Sequence, residues 1–381
     1  MVTHTRTPLR AFRVRSAVCI IMAICGASAT ISDAAEPPLL KPESGPWDAG
    51  SGFVFGKAKP DKEVEARQSL SGIACPSNTS GQRLCLVVFD EGAEARYAII
   101  NDSSYAVDNE RVVLRLSDGE LDAEGAATDG RYFYVTGSHS VKRKTCASNP
   151  DSRRVIRFAV DSKTGRALRA PAGDPKGSLV EYNDSDRLWA IMAALPQLKN
   201  HVGEKKCLGT EPPEGKKELE GQRGVNIEGL AVKDGRLYFG FRGPAEKDEA
   251  LILAVDAKAV FEGGAPNAQI TRIIVGERRG IRDLHAVKDG ILVLAGPDDD
   301  KSSEGRPWIV GLWDGTSAGD KPVGLKAAGQ LDLTGVKPRP CDKELKPEAL
   351  AVLEDTDAHY RVVVLSDGMC DGGPLSFRIP R

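Results

Sequence analysis

The chain has 381 residues, a length that allows two or three domains. Charged residues make up 28 % and hydrophobic residues 41 %, which excludes wholesale disorder, a collagen-like fibre and a polytopic membrane protein. The net charge of −2 contains no basic excess, so nucleic acid is not an expected partner. The 40 glycines and 23 prolines favour a fold with many turns.

Residues 1–29 have the pattern of a secretory signal peptide. Its positive end contains four arginines: Arg6, Arg10, Arg13 and Arg15. A nine-residue apolar core, 17–25, follows and is too short to span a bilayer. Ala27 and Ala29 are small residues at positions −3 and −1 of a cleavage site, and cleavage after Ala34 is a second option. A lipoprotein is disfavoured because Val18 and Ile24, not small residues, precede the two leader cysteines.

Cleavage after residue 29 leaves 352 residues with a net charge of −6. No later segment is long and apolar enough to span a membrane. We therefore expect a monomer in the periplasm or outside the cell, with residues 30–50 as an N-terminal extension. Six cysteines remain after the leader: Cys75, Cys85, Cys146, Cys207, Cys341 and Cys370. An even number in an oxidising compartment indicates disulfides.

Five segments share one plan and indicate an internal repeat. They are LSGIAC (70–75), DAEGAA (122–127), NIEGLAV (226–232), IRDLHAV (281–287) and KPEALAV (346–352). Each precedes a second apolar strand: LCLVVF (84–89), YFYVTG (132–137), LYFGF (237–241), ILVLAG (291–296) and RVVVLS (361–366). Three of the connections contain Asp-Gly, at 129–130, 234–235 and 289–290, which is typical of a tight hairpin.

The spacing of the repeats predicts an all-β fold, a single β-propeller. When the repeats are aligned on Gly72, Glu124, Glu228, Asp283 and Glu348, successive markers are 52, 104, 55 and 65 residues apart. Repeats of this length with several short strands are typical of propeller blades. Third and fourth strands are predicted at 154–160, 250–256, 269–276, 308–314, 326–333 and 376–380. Their runs are apolar on both faces, as a blade packed between two others requires.

The 104-residue step between the second and third repeats decides the number of blades. Residues 184–198 have helical periodicity, with Asp184 or Ser185 as the cap and Leu188, Met192 and Leu195 on one face. Interpreted as an insertion, this segment leaves five blades, whereas a hidden blade would make six or seven. The propeller spans 51–381, and the strand SGFVFG at 51–56 is expected to complete the last blade.

Propeller geometry brings two sets of polar residues to one mouth of the central channel. The first set begins the inner strands and contains Glu124, Glu228, Asp283 and Glu348. The second set follows the second strands and contains Ser138, His139, Arg242, Asp298 and Asp367. The same geometry predicts the disulfides Cys75–Cys85, Cys146–Cys207 and Cys341–Cys370, because each pair lies in neighbouring strands or in loops at one rim.

These residues allow several kinds of site. Carboxylates that meet at one mouth repel each other unless a cation neutralises them, so Glu124, Glu228 and Glu348 are candidate Ca²⁺ ligands. The alternative is that each carboxylate accepts hydrogen bonds from the next blade and locks the two together. Arg242 could bind a phosphate or carboxylate, or pair with Glu228. His139 and His285 are candidate ligands or bases, or ordinary rim histidines.

Two stretches carry a resemblance to a known family. NIEGLAVKDGRLYFGFRGP (226–244) and AEGAATDGRYFYVTGSHS (123–140) resemble an exported bacterial family of unknown function. The resemblance covers most of the chain and implies a propeller related to esterase-like and phytase-like propellers. Gly72 and Asp283 depart from the repeated acidic position that Glu124, Glu228 and Glu348 match.

Two functions fit these residues. The first is a propeller that binds a small polar or anionic ligand, or a protein partner, at its channel mouth through Glu124, His139, Glu228, Arg242, Asp283, His285 and Glu348. The second is a Ca²⁺-dependent hydrolase of phosphoesters, with the three glutamates holding the metal and Arg242 the phosphate. No metalloprotease, serine-hydrolase or phosphate-loop motif supplies a third.

Overall fold

The computed structural model describes residues 1–3, 37–77, 82–116, 119–143, 145–171, 178–208, 223–299 and 305–381. The core and both cleavage sites of the predicted signal peptide lie outside these residues. The account below concerns Pro37–Arg381, which is one compact unit.

The chain forms five sheets in sequence order, and these are the blades of a propeller. Strand β1 (Leu39–Leu40) and helix α1 (Pro60–Gln68) precede the first blade. Blade 1 consists of β2 (Leu70–Ala74), β3 (Leu84–Phe89), β4 (Glu94–Ile100) and β5 (Tyr105–Val113). Blade 2 consists of β6 (Ala123–Thr128), β7 (Tyr132–Gly137), β8 (Val155–Ala159) and β9 (Asn183–Ser185), and helix α2 (Arg187–Ala194) follows it.

The remaining blades repeat this order with additions at their edges. Blade 3 consists of β10 (Asn226–Lys233), β11 (Arg236–Gly243), β12 (Glu249–Asp256) and β13 (Gln269–Ile274), with helix α3 (Ala257–Glu262) between the last two strands. Blade 4 consists of β14 (Arg279–Val287), β15 (Gly290–Pro297), β16 (Ile309–Trp313) and β18 (Lys326–Leu331). Strand β17 (Val323–Gly324) adds to blade 3 and β1 to blade 4, both in parallel. Blade 5 has three strands, β19 (Lys346–Asp355), β20 (His359–Asp367) and β21 (Leu375–Pro380).

The innermost strands close a ring. Strands β2, β6, β10, β14 and β19 contact one another in that order, and β19 contacts β2. Each inner strand pairs with the second strand through an antiparallel hairpin, as the repeat predicts. At Asp234-Gly235 both residues have positive φ, the conformation that makes Asp-Gly suitable for this turn. The prediction of a five-bladed propeller is confirmed.

A separate apolar cluster fills each of the five blade interfaces, which explains why the strands are apolar on both faces. Between blades 3 and 4, for example, Ile252 and Ala231 pack with Ile281 and Val293. Corresponding clusters join blades 1 and 2, 2 and 3, 4 and 5, and 5 and 1. The core is therefore distributed around the ring, and the channel is left to polar side chains and backbone edges.

The prediction that 51–56 forms the outer strand of the last blade is wrong. This segment has no strand, because Gly52 and Gly56 have positive φ and the Phe53 amide donates to Asp371 Oδ1 at 2.8 Å. The preceding residues approach β21 instead. The amide of Glu43 donates to Ser376 O at 2.8 Å, and that of Trp47 to Pro374 O at 2.9 Å.

The long step between the second and third repeats contains a strand as well as a helix. Asp184 and Ser185 belong to β9, the fourth strand of blade 2, and do not cap the helix. Helix α2 begins at Arg187 and ends at Ala194, inside the predicted range 184–198. Two residues of its predicted face, Leu188 and Met192, are fully buried, whereas Leu195 follows the helix and is only partly buried.

The three predicted disulfides are all present: Cys75–Cys85, Cys146–Cys207 and Cys341–Cys370. The first joins β2 to β3, whereas the other two join loops. Within the described ranges, no helix has the length and hydropathy needed to cross a membrane.

Candidate functional site

Every inner strand carries a β-bulge near its start. In each hairpin one residue of the inner strand is skipped in the pairing with the second strand. The five skipped residues are Ser71, Glu124, Glu228, Arg282 and Glu348. A bulge re-aims the side chain of the unpaired residue. These five equivalent residues are called the bulge ring below.

The bulge positions correct the sequence alignment by one residue in two blades. Ser71 and Arg282, not Gly72 and Asp283, are the equivalents of the three glutamates. The position after the bulge lies against the next blade. A Cβ on Gly72 would lie 2.9 Å from the Ala126 amide nitrogen, which is why a small residue is used there.

A second ring lies beside the first. In each hairpin, the residue before the bulge pairs with a residue of the second strand. The next residue of that second strand then lies beside the bulge. These residues are Asp90, Ser138, Arg242, Gly296 and Asp367, called the rim ring below. Three of them belong to the predicted second set, whereas Asp90 and Gly296 do not. Asp298 lies two residues beyond this ring and is 3.7 Å from Arg278.

Arg282 is the central cation of the bulge ring. Its side chain is only 2 % exposed, and its Nε lies 2.8 Å from Glu228 Oε2. Its Nη2 pairs with Glu348 Oε1, and its Nη1 donates to Pro297 O at 3.2 Å. One guanidinium thus joins carboxylates from blades 3 and 5 across blade 4.

Arg242 of the rim ring completes the pairing of Glu228. Its Nη1 donates to Glu228 Oε1 at 3.1 Å, and Asn226 Nδ2 donates to the same oxygen at 3.1 Å. The pairing of Arg242 with Glu228, one of the two predicted alternatives, is therefore present. Both arginines of the two rings already have carboxylate partners, which weakens the case for either as an anion clamp.

The Glu348 carboxyl group is a weaker acid than an ordinary glutamate. Burial raises its pKa to about 8, and the negative charges of Asp367 and Glu228 act in the same direction. Arg282 and Arg242 lower the pKa but do not restore its usual value. The carboxyl group therefore holds a proton over much of the physiological range.

Carboxyl groups from blades 5, 1 and 2 form an acidic side of the mouth. They are Asp90, Asp122, Glu124 and Asp367. Burial raises the pKa of every one, and that of Asp90 and Glu124 rises well above its usual value. Neighbouring carboxylates contribute to these increases, so the four groups are close enough to repel one another.

Two members of this acidic side have little compensation in the described part of the chain. Oδ1 of Asp90 is shielded from solvent and has no hydrogen-bond partner there. Asp122, in contrast, accepts a hydrogen bond from Ser138 Oγ, and Asp367 lies 4.0 Å from Lys346 Nζ. Glu124 forms no ion pair with any of the described residues. Among the described residues, carboxyl groups therefore outnumber cations on this side of the mouth.

The predicted calcium ligands have different surroundings. Glu228 and Glu348 share the Arg282 guanidinium, so a cation already stands between them. Among the residues that the structure describes, no group of three or more His, Cys, Asp or Glu side chains is arranged to hold a metal ion.

Asp283 lies between blades rather than in the channel. Its Oδ2 accepts from the Leu350 amide of blade 5 at 2.6 Å, and its Oδ1 from the Leu284 amide at 2.8 Å. Burial raises its pKa well above the usual value, despite these backbone hydrogen bonds. This carboxylate locks blade 4 to blade 5, as one alternative from the sequence requires.

The two candidate histidines are kept neutral by burial. The pKa of His139 falls to about 3, with further lowering by the charges of Arg153 and Arg154. The pKa of His285 falls to about 4, although a hydrogen bond to the Leu350 backbone raises it. Like Asp283, His285 therefore faces blade 5, whereas His139 lies beside arginines at the start of β8.

The sequence patterns missed several site residues, among them Arg282, Asp90 and Asp122. The pattern of a bulge residue, a small residue and an apolar residue reads SGI, EGA, EGL, RDL and EAL. Alignment on the apolar residue would have placed Arg282 with the glutamates. Asp90 directly follows the predicted strand 84–89 and would have been found by extending that strand by one residue.

The fold and the site define a five-bladed β-propeller with two rings of charged and polar residues at one channel mouth. Residues 98–371 match the family described as Protein of unknown function (DUF3616). The chain belongs to that family.

Several solved structures match this chain at low sequence identity. A putative glycoside hydrolase from Parabacteroides distasonis has a TM-score of 0.39 and 8 % identity, covering 82 % of this chain and 87 % of its own. Regucalcin from Agrobacterium tumefaciens, a calcium-binding protein, has a TM-score of 0.36 and 10 % identity, covering 90 % and 95 %. An endo-arabinanase from Bacillus licheniformis has 0.34 and 9 %, covering 82 % and 94 %. No curated protein matches the sequence.

Proposed function

We propose that this protein binds a small molecule carrying a protonated amine at the channel mouth, and that it does so after export from the cytoplasm. The observation that carries the proposal is the unequal distribution of charge. Arg242 and Arg282 are paired with Glu228 and Glu348, whereas Asp90 and Glu124 have no such cation among the described residues. We therefore expect the ligand to carry a positive charge and not the negative charge of an anion.

An ammonium group suits the acidic side of the mouth for two reasons. It donates up to three hydrogen bonds, and the buried Oδ1 of Asp90 lacks a donor in the described structure. Burial is the main cause of the raised pKa of Asp90, Asp122 and Glu124, with repulsion from other carboxylates added to it, and the charge of an ammonium group would offset both effects. Charge-assisted hydrogen bonds of this kind are about twice as strong as neutral ones.

The same groups make binding depend on pH. Protons and an ammonium group compete for the carboxylates, because each neutralises the same negative charge. All four carboxyl groups of the acidic side have raised pKa values, so they give up protons later than exposed carboxyls do. Affinity for an amine should therefore increase as the pH rises above about 4, the usual range of carboxyl pKa values.

Isothermal titration with putrescine, Ca²⁺ and inorganic phosphate tests the proposal. We expect putrescine to bind, with at least a tenfold loss of affinity in Glu124→Gln, since a charge-assisted contact disappears. The matched control is Glu277→Gln, an exposed glutamate outside the mouth, which should bind as the wild type does.

The titrations with Ca²⁺ and inorganic phosphate distinguish the alternative ligands. Tighter binding of Ca²⁺ than of putrescine, lost in Glu124→Gln, would replace the amine with the metal of the hydrolase hypothesis. Failure of putrescine to bind, or an affinity for phosphate that changes in Glu124→Gln, would contradict a cationic ligand at this mouth. An absence of binding in all three arms would also overturn the proposal.

A further inference from the structure

A second cavity, whose lining differs chemically from the acidic mouth, lies between blade 2, α2 and the end of α3. It has a volume of about 550 Å³, within the range of small-molecule sites. Residues 150–154, the start of α2 and the segment after α3 line it. None of these residues belongs to the proposed amine site.

Positive charge predominates on the walls of this cavity. Three arginines, Arg153, Arg154 and Arg187, line it together with a single acidic residue, Asp186. The whole chain, in contrast, has a net charge of −2. A concave surface with locally reversed charge attracts ions of the opposite sign.

Arg153 is held in place by its surroundings. It is 8 % exposed, its Nη1 donates to Glu204 Oε1 at 2.6 Å, and its guanidinium stacks 3.9 Å from the Trp189 ring centre. Its Nε is nevertheless shielded from solvent and has no hydrogen-bond partner among the described residues. Such a buried donor calls for an explanation, because the great majority of buried polar atoms are paired.

Arg154 and Arg187 have spare hydrogen-bonding capacity. Arg154 lies 3.8 Å from Asp184 and 3.7 Å from Asp186, too far for hydrogen bonds, and its buried Nε has no partner in the described structure. Arg187 rests against the backbone after α3, since a Cβ on Gly263 would lie 2.5 Å from its Nη1. Among the described residues it forms no ion pair.

We infer that this cavity is a binding site for a small oxyanion, a molecule bearing a carboxylate or phosphate group. Guanidinium groups bind such groups through paired N–H donors, and this cavity presents three of them. Trp189 provides an apolar wall for the rest of the ligand.

Titration of the full chain with inorganic phosphate and with succinate tests this site, at constant ionic strength set with sodium chloride. Binding is followed by calorimetry and by the fluorescence of Trp189, with Trp189→Phe to assign the signal. We expect saturable binding of at least one of the two probes, weakened at least tenfold in Arg187→Gln. The control Arg223→Gln removes an exposed arginine outside the cavity and should leave the affinity unchanged.

Comparison of the two probes identifies which oxyanion is preferred. The inference is overturned if neither probe binds saturably by calorimetry, or if Arg187→Gln and Arg223→Gln have equal effects. It is also overturned if chloride alone reproduces the change. Glu124→Gln should not alter this binding, so the result is independent of the proposed amine site.

Discussion

The bridging role of Arg282 leads to a specific prediction about stability. Its side chain is 2 % exposed and contacts Glu228 and Glu348, whose side chains are 4 % and 9 % exposed. Arg282→Met keeps an unbranched apolar stem but leaves two buried carboxyl groups without their shared cation. Breaking a buried ion pair in this way costs about 3–5 kcal/mol when both partners are charged.

The cost should depend on pH because Glu348 titrates. Its pKa is raised to about 8, so this group contributes stability below its unfolded pKa that is lost as the pH rises through 8. At pH 6 Glu348 is protonated, and the substitution removes a hydrogen bond to a charged group, worth about 1.5–3 kcal/mol. At pH 9 it is ionised, and the full cost applies. In Arg282→Met the pKa of Glu348 rises further, so stability continues to fall above pH 8.

Urea denaturation at pH 6 and pH 9 measures this effect. We expect Arg282→Met to lose about 3–5 kcal/mol at pH 9 and clearly less at pH 6. The double variant Arg282→Met/Glu348→Gln should recover part of the loss at pH 9. The control Arg306→Met removes a half-exposed arginine of the same blade and should change stability by less than about 0.5 kcal/mol. Equal losses at both pH values, or no recovery in the double variant, would refute the bridging role.

Three further predictions concern the other polar groups and the close contacts between blades. Asp283→Ala removes the acceptor of the Leu350 amide and should cost about 2–4 kcal/mol in urea denaturation, with Asp283→Asn losing less; a loss below about 1 kcal/mol would contradict the lock between blades. Gly280→Ala places a Cβ 2.2 Å from Arg242 O and should cost about 1–3 kcal/mol, and a thermal melt equal to the wild type's would contradict it. Glu124→Gln should gain stability relative to the wild type as the pH rises above about 4.5, because burial raises the pKa of the Glu124 carboxyl group, and glutamine does not titrate; a difference independent of pH would argue against this.

The architecture could be predicted from the sequence because the repeat is expressed through local signals. Apolar runs separated by Asp-Gly turns define hairpins without knowledge of their neighbours. Five such hairpins of similar spacing require a closed ring, since each blade has two apolar faces to bury. The disulfide pairs followed from the same ring, because it brings the Cys146 and Cys207 loops to one rim.

The chain ends were harder to predict because their contacts are not repeated. The 51–56 segment contains a short apolar run typical of a strand, but the Phe53 amide donates a hydrogen bond to the Asp371 side chain and does not pair in a sheet. That acceptor is 318 residues away in sequence. Similarly, Asp184 and Ser185 look like helix caps because their strand β9 is only three residues long. In both places a long-range contact overrides a local preference.

The site shows most clearly what a one-residue shift means in a β structure. Successive residues of a strand face opposite sides. Aligning the repeat on Asp283 and not on Arg282 therefore replaced a residue of the channel with a residue that lies between blades. With Arg282 in the bulge ring, the ring is not a symmetric set of carboxylates that needs a metal for neutrality. It contains its own cation, which is used by Glu228 and Glu348. The carboxyl groups without a cation among the described residues are those of Asp90 and Glu124, and the amine that we propose as the ligand would bind there.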